Sequence, residues 1–328
     1  MIHRREFLQS AAALGGAAGA PWALAQSPDI VRIVCGFPAG GTADSTARRV
    51  AELLMGSAFA TQGAVIDNRT GAGGRLACEF VKAAPPDGKT LLLTPLGTLS
   101  IYPHVYPSLR YDPMRDFAPV TTASMMTHAL AVGPMVPASV RTVQDFITWA
   151  KANAGKASYG SPGAGTAPHF LMALLGIRSG LELTHVAYRG SVPGVTDLVG
   201  GQVAAMCTPT GDFLPFYRAG RLRILATSGA ARTPFTPEVP SFAEAGHPEL
   251  TIEEWYGFLA PARTPPAVVS AAATAIVTAL SNKDFIDGMA TLGLTVKGSS
   301  PADMGQAIKD DLERWRPLVR KIGFTAES

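Results

Sequence analysis

Cysteine is scarce in this sequence, and so is charge of either sign in any concentrated form. The three cysteines, Cys35, Cys78 and Cys207, are odd in number and far apart, which argues against a disulfide framework. Each sits among apolar neighbours, so a buried thiol is the expected role rather than a reactive one or a bridge. The 28 basic and 25 acidic residues leave a net charge of only +3. No Lys/Arg run gathers that charge, so the electrostatic footprint of a nucleic-acid binder is missing. Nucleotide motifs are missing too. There is no GxxxxGK[ST], and GAGGRL at Gly71 to Leu76 lacks the third glycine of GxGxxG. The histidines (His3, His104, His128, His169, His185, His247) show neither HExxH nor another close ligand spacing, so neither a catalytic metal nor a cofactor is expected.

What is present begins with HRREFLQ and the apolar stretch AAALGGAAGAPWALA. That stretch is too short and too rich in Ala and Gly to span a bilayer, and Ala23-Leu24-Ala25 offers small residues for cleavage before Gln26. Residues 1–25 are therefore expected to be an export leader. Arg-Arg-x-Phe-Leu resembles the twin-arginine signal, with an ordinary secretory signal as the alternative. Either route delivers the chain to the periplasm. Without Arg4, Arg5 and Glu6 the remaining 303 residues hold 26 basic and 24 acidic residues. They contain no second apolar run of about 20 residues. Their length exceeds the usual size of one compact unit, so two domains are expected.

One local pattern recurs along the chain: a short β-rich run, a glycine turn, then apolar residues at helical spacing. IVRIV (Ile30 to Val34) reads as a strand and FPAGG as a turn. Ala47, Val50, Ala51, Leu54 and Ala58 then trace one helical face, with Thr42 as the expected N-cap and Asp44 in the first turn. AVID (Ala64 to Asp67) is followed by Gly71, Gly73 and Gly74, and by a face of Ala77, Phe80, Val81 and Ala84. KASYGS leads through Pro162, Gly163 and Gly165 into a helix with Leu171, Leu174 and Leu175, which Gly176 is expected to stop. In LTHVAYRGSVPGVTDLVGG, Ser191 is the expected cap of a helix carrying Val192, Val195, Leu198 and Val199. Strand-helix alternation at this spacing indicates an α/β architecture with largely parallel sheets. Later, Pro265-Pro266 opens an Ala/Val-rich helix to about Ser281, and Ser300 to Asp303 looks like a capping box. The last helix carries a packing stripe of Met304, Ile308, Leu312, Trp315, Val319 and Ile322.

Glycine turns at strand ends, just ahead of helices, sit where open α/β sheets bind ligands. Glycine lets the backbone approach a ligand, and the first helical N–H groups point outward with the dipole favouring an anion. Gly40 and Gly41 are expected to expose such amides, although glycine turns also serve simply as connections. A hydrolase would require Ser161, His169 and Asp197 to meet as a triad. Ser161 is not in a GxSxG elbow, and nothing in the spacing demands that arrangement. His169, in the first turn of its helix, is kept as a possible donor to a ligand.

The blocks IVCGFPAGGTADSTAR, VIDNRTGAGG, KAAPPDGKTLLL, YDPMRDFAPV, YGSPGAGTAPH, HVAYRGSVPGVTDLVGGQV, AGRLRILATSGAAR, PEVPSFAEAGHPEL and WYGFLAPARTPP resemble, in order, those of the Bug (TctC-type) periplasmic solute-binding receptors. The resemblance covers nearly the whole chain after residue 25. It implies a two-lobed periplasmic-binding-protein fold, type II-like, each lobe a mixed, mainly parallel sheet flanked by helices. It puts residues 27–125 and 253–328 in one lobe and 126–252 in the other, with the hinge near Thr122–Met126 and Thr251–Glu254. It further implies a monomer that is not an enzyme. Such a receptor captures a small organic carboxylate and presents it to the permease subunits of a tripartite tricarboxylate transporter, or alternatively to a membrane sensor.

Carried over by the resemblance, the ligand is met by Phe37, Gly40, Gly41, Thr42 and Asp44 and by Gly71, Gly73 and Gly74. From the facing lobe come Ser161, Gly165, Thr166 and His169, and Arg189 as a fork of donors suited to a carboxylate, with a surface ion pair as its alternative. After QVAAMC, where many relatives have an acidic or amide residue, this chain reads CTPTGDF. Thr208 is expected at the ligand there, and Asp212 is displaced.

Overall fold

The computed structural model describes residues 30–325; the expected leader and its cleavage site lie outside the described residues. The described chain starts with β1 (Val31–Cys35), α1 (Thr42–Leu54), β2 (Ala64–Asn68), α2 (Arg75–Lys82) and β3 (Thr90–Pro95). Two short helices, α3 (Gly97–Ser100) and α4 (Tyr102–Val105), precede the long strand β4 (Phe117–Val132). Then come α5 (Val143–Ala152), β5 (Ser158–Ser161), α6 (Ala167–Ser179), β6 (Thr184–Ala187) and α7 (Ser191–Val199). They are followed by β7 (Ala205–Pro209), α8 (Thr210–Arg218), β8 (Arg223–Thr227) and β9 (Glu253–Pro261). The remaining elements are α9 (Pro266–Leu280), α10 (Lys283–Thr291), β10 (Thr295–Val296) and α11 (Pro301–Ile322).

The strands join edge to edge in the order β2-β1-β3-β9-β4-β7-β5-β6, with β8 and β10 also pairing β4. β4 belongs to both lobes. Its residues Phe117 to Thr127 pair β9, and from His128 to Val132 it pairs β7. Parallel pairing is confined to β2-β1-β3 and to β6-β5-β7. Every pairing made by β4 or β9 is antiparallel. The sheet is mixed, as expected: strand-helix units build the parallel outer parts, whereas β4 and β9 run in opposite senses between the lobes.

Buried apolar faces account for the helices. Ala47, Val50, Ala51 and Leu54 of α1 pack with Ile33 of β1 and Leu91 of β3, whereas Ala58 lies past the helix end and is exposed. α6 runs through Gly176 and stops at Gly180, whose left-handed backbone (φ 59°) suits glycine. Gly176 is small for another reason: a Cβ there would sit 3.2 Å from the Leu181 carbonyl oxygen. Thr42 and Ser191 are first helical residues, not caps; the caps are Gly41 and Gly190, which offer no side chain. Side-chain caps occur at Thr142, Thr166, Asn282 and Ser300. All three cysteines are buried. Burial pushes the Cys35 and Cys78 thiols up to about 12 and raises Cys207 as well.

The last helix packs against both lobes. Met304 and Ile308 of α11 lie with Leu92 and Leu259, while Trp315 and Val319 lie with Phe170 and Leu174 of α6. The Trp315 and Phe170 rings are 6.0 Å apart. Between these two contacts Asp311 is buried and accepts from the Ser100 hydroxyl at 2.6 Å. Trp315→Ala is expected to destabilise the protein by about 3–5 kcal/mol, measured as a lower urea midpoint. An unchanged midpoint would show that this helix does not bind the second lobe tightly.

Candidate ligand-binding site

A cavity lies where the two lobes meet. One wall comes from Phe37, Gly41 and Thr42, and the opposite wall from Pro162, Thr166 and Ser191. The floor comes from the junction strands: Met126 and His128 of β4, Glu254 and Tyr256 of β9. In each strand the two floor residues are two apart and so share a face of the sheet. The cavity is small, about 40 Å³. Among the described residues no lysine or arginine lines the cavity, and Glu254 is the carboxylate in its wall.

The helix N-terminus after FPAGG is already engaged by the protein's own acids. The Gly40 N–H donates to Asp44 Oδ2 at 3.0 Å, and the Thr42 N–H donates across the cleft to Asp212 Oδ1 at 2.9 Å. The expectation that Gly40 presents its amide to a bound anion is corrected accordingly. Gly41 does line the cavity, with its N–H at 3.5 Å from the Pro38 carbonyl oxygen. Burial pushes the Asp44 carboxyl up, but Arg48, the Gly40 N–H and Asn68 outweigh it and hold its pKa below the usual aspartate value. Its oxygens accept from Arg48 Nε at 2.8 Å and Asn68 Nδ2 at 2.9 Å. Asp44 therefore braces the turn and is not part of the cavity wall.

Asp212 of α8 behaves in the opposite way. Burial raises its pKa, and hydrogen bonds from Ser191, Thr42 and Thr208 offset that only in part. Thr208, expected at the ligand, is fully buried and donates towards Ser191 Oγ at 2.6 Å and Asp212 Oδ2 at 3.1 Å. It reaches the cavity only through Ser191, which lines it. Thr42 Oγ1 in turn meets the Tyr256 hydroxyl at 2.8 Å.

The second glycine turn closes the lobes on each other. The Gly73 carbonyl accepts from the Tyr102 hydroxyl at 2.7 Å. A Cβ on Gly163 of the facing lobe would lie 3.0 Å from Gly73 Cα, closer than backbones carrying side chains pack. Gly74 presses on the Phe37 ring, and the Tyr106 hydroxyl donates to the Ala164 carbonyl at 2.7 Å. Gly71, Gly73 and Gly74 thus shape the seam and do not line the cavity.

His169 and Ser161 point into a packed cluster behind the loop. His169 Nδ1 accepts from the Gly165 N–H at 3.1 Å, and its ring stacks on His185 at 4.0 Å. Tyr159 stacks on His185, and Phe324 meets His169 edge-on. Burial, then the neighbouring His185, depresses His169 to about 3; burial depresses His185 to about 4. Ser161 Oγ is 2.8 Å from His185 Nε2, while Asp197 accepts from the Tyr188 hydroxyl at 2.9 Å. The three residues of the hydrolase alternative do not meet. Arg189 is exposed and outside the cavity wall. Thr166 lines the cavity while its side chain accepts from His169 N and caps α6. No quoted motif contains His128 or Glu254, whose signal is residue alternation in strands β4 and β9 at the expected hinge; Ser191 and Tyr256 lie inside quoted blocks but were not singled out as ligand contacts.

The two depressed histidines are charged in the unfolded chain below about pH 6.5 but neutral in the folded one. Their contribution is complete above that pH and is lost as pH falls towards about 4 and then about 3. The melting temperature is expected to drop across this window, and His185→Gln, which preserves an Nε donor for Ser161, should shallow the drop. Asp212 has the reverse sign: its raised pKa means stability present near pH 4 is lost as pH rises. Asp212→Asn should therefore be the more stable protein at pH 7, with the gap closing towards pH 4; no gap at any pH would contradict the assignment.

A family profile described as tripartite tricarboxylate transporter family receptor matches residues 46–324. The chain is 36% identical over 293 residues, 88% of this chain and 85% of the relative, to the UPF0065 protein in the tcbD-tcbE intergenic region of Pseudomonas sp. (strain P51). It is similar in structure to R. palustris Rpa4515 with adipate, at 31% identity and TM-score 0.86 over 92% of this chain and 99% of that one. It is also similar to MatC (Rpa3494) from Rhodopseudomonas palustris with bound malate, at 29% identity and TM-score 0.83 over 88% and 98% of the two chains. Among the described residues, no helix is long and apolar enough to cross a membrane. The chain belongs to the tripartite tricarboxylate transporter family of receptors, and is a solute-binding protein rather than an enzyme.

Proposed function

We propose that this receptor closes its lobes around a small organic carboxylate in the periplasm and delivers it to the permease subunits of a tripartite tricarboxylate-type transporter. The observation that carries this reading is the cavity at the lobe junction, walled by the starts of three helices. Gly41, Thr42 and Ala43 belong to α1, Thr166, Ala167 and Pro168 to α6, and Ser191 and Val192 to α7. Helix starts present N–H groups and the positive end of the dipole to an anion. At α7 no side-chain cap competes for those groups, whereas at α1 Asp212 takes the Thr42 N–H. The malate and adipate held by the similar receptors support a carboxylate as the ligand class.

In this reading the lobes comprise 27–125 with 253–328, and 126–252, and they turn about Thr122–Met126 and Thr251–Glu254. Closure is driven by contacts that exist only when the lobes meet, such as Thr42 with Asp212 and Tyr106 with Ala164. Residues 1–25 act as the export leader, and the mature receptor works as a monomer. Phe37, Gly41, Thr42, Thr166 and Ser191 are the proposed ligand contacts. A thermal-shift screen of mono-, di- and tricarboxylates is expected to find a ligand that stabilises the protein by about 2.7 kcal/mol at 100 times its dissociation constant. Failure of every small carboxylate to shift melting would overturn the proposal.

A further inference from the structure

His128 and Glu254 form a buried pair in the cavity floor, where β4 passes from one lobe to the other. His128 Nε2 is 3.0 Å from Glu254 Oε2, and the other glutamate oxygen accepts the Gly97 N–H at 2.5 Å. The pair is rigidly held. Ser228 Oγ accepts the His128 N–H at 2.8 Å and donates to the Ile252 carbonyl at 2.5 Å, tying the two interlobe crossings together. His128 is 1% exposed and Glu254 6%.

With Oε1 taking the Gly97 N–H and Oε2 facing Nε2, a carboxylate at Glu254 can only accept, which places the ring proton on Nε2. In the neutral ring this leaves Nδ1 as a lone-pair acceptor. Nδ1 has no hydrogen-bond partner among the described residues, and less than 1 Å² of it is open to water. A buried acceptor without a donor is costly and rare in a native protein, yet this one belongs to a residue lining the cavity. Among the described residues the wall offers Glu254 and no lysine or arginine to balance a second anion placed beside it.

We infer that His128 Nδ1, oriented by Glu254, is a subsite for a hydrogen-bond donor on the ligand, separate from the carboxylate that the helix starts receive. The inference rests on the receptor reading and narrows it to carboxylates that also carry a hydroxyl, ammonium or amide N–H group. Glu254 is the positioning residue: it selects the tautomer and so decides that the subsite accepts. The donor enters while the lobes are apart and is sealed against Nδ1 on closure.

The test compares matched pairs by calorimetry on the full mature receptor: malate and aspartate against succinate, 3-hydroxybutyrate against butyrate, and adipamate against adipate. The member with the donor should bind at least about tenfold tighter, and the arm with the largest gain identifies hydroxyl, ammonium or amide. His128→Phe should abolish the gain within each pair, read as the ratio of the two affinities and not as either absolute value. His128→Asn, which can place an amide oxygen near the position of Nδ1, should keep it. E254Q gives an independent readout that does not depend on the folding of a His128 variant. Its amide donates to His128 Nε2, moves the ring proton to Nδ1 and should remove or invert the preference for donors. Equal binding within every pair overturns the inference but leaves the receptor reading intact, as does a gain that survives both His128→Phe and E254Q. Proton uptake on binding, with affinity falling as pH rises, would instead mean an imidazolium donating to a ligand anion, and also overturns it. No binding by any carboxylate overturns the receptor reading and the subsite with it.

Discussion

The structure depends on one strand being shared. β4 spans 16 residues, pairing β9 over Phe117 to Thr127 and β7 and β8 between His128 and Val132. One strand therefore runs from one lobe to the other, with register shifts along its pairings. Among the described residues that continuity leaves no free sheet edge at the junction. It also fixes which side chains meet the cleft, because residues two apart on β4 and on β9 emerge on the same face. The cavity floor of Met126, His128, Glu254 and Tyr256 follows directly from that register.

Electrostatics in the cleft are arranged mainly with backbone and carboxylates rather than with arginines. The helix start after FPAGG is occupied by Asp44 from its own turn and by Asp212 from the opposite lobe. A carboxylate at that position satisfies N–H groups that would otherwise be unpaired when the lobes close. The turn is consequently a clasp between lobes as much as part of a binding wall. Asp212 is buried, and its raised pKa records the cost of carrying a charge there. The second glycine turn works in the same direction, allowing Gly73 and Gly163 backbones to approach within a distance that side chains would forbid.

Besides the crossing strands, Ile101 and, from the following helix α4, Tyr102 and Val105 enter the same core as Phe170 and Leu174, and the second half of α11 does so with Trp315 and Val319. Burial of large apolar side chains is the strongest non-directional term available, so these contacts hold the two cores in register. The directional hydrogen bonds at the cleft then select among arrangements that the packing permits.

Much of this was written in local sequence. The apolar spacing of α1 and the stripe along α11 marked helices because a one-sided apolar face needs a neighbouring layer, and Ser300 does cap α11. The order of glycine turns carried the family resemblance and, through it, the two-lobed fold. Local sequence could not decide between Gly41 and Thr42, or Gly190 and Ser191, as the cap, because either residue suits that position and the choice turns on the path of the preceding chain. His169 shows the same limit: its place in a first turn is local, whereas the stacking partners that bury it, Tyr159, His185 and Phe324, come from three other segments. The sequence by itself determined helices α1, α2, α6, α7, α9 and α11, the glycine turns and the absence of a Lys/Arg run, since each depends on spacing or residue type. Only the tertiary structure decided that Asp212 reaches Thr42 and that His128 and Glu254 meet, because pairs separated by 170 and 126 positions are joined by strand register and lobe packing, which no local pattern encodes.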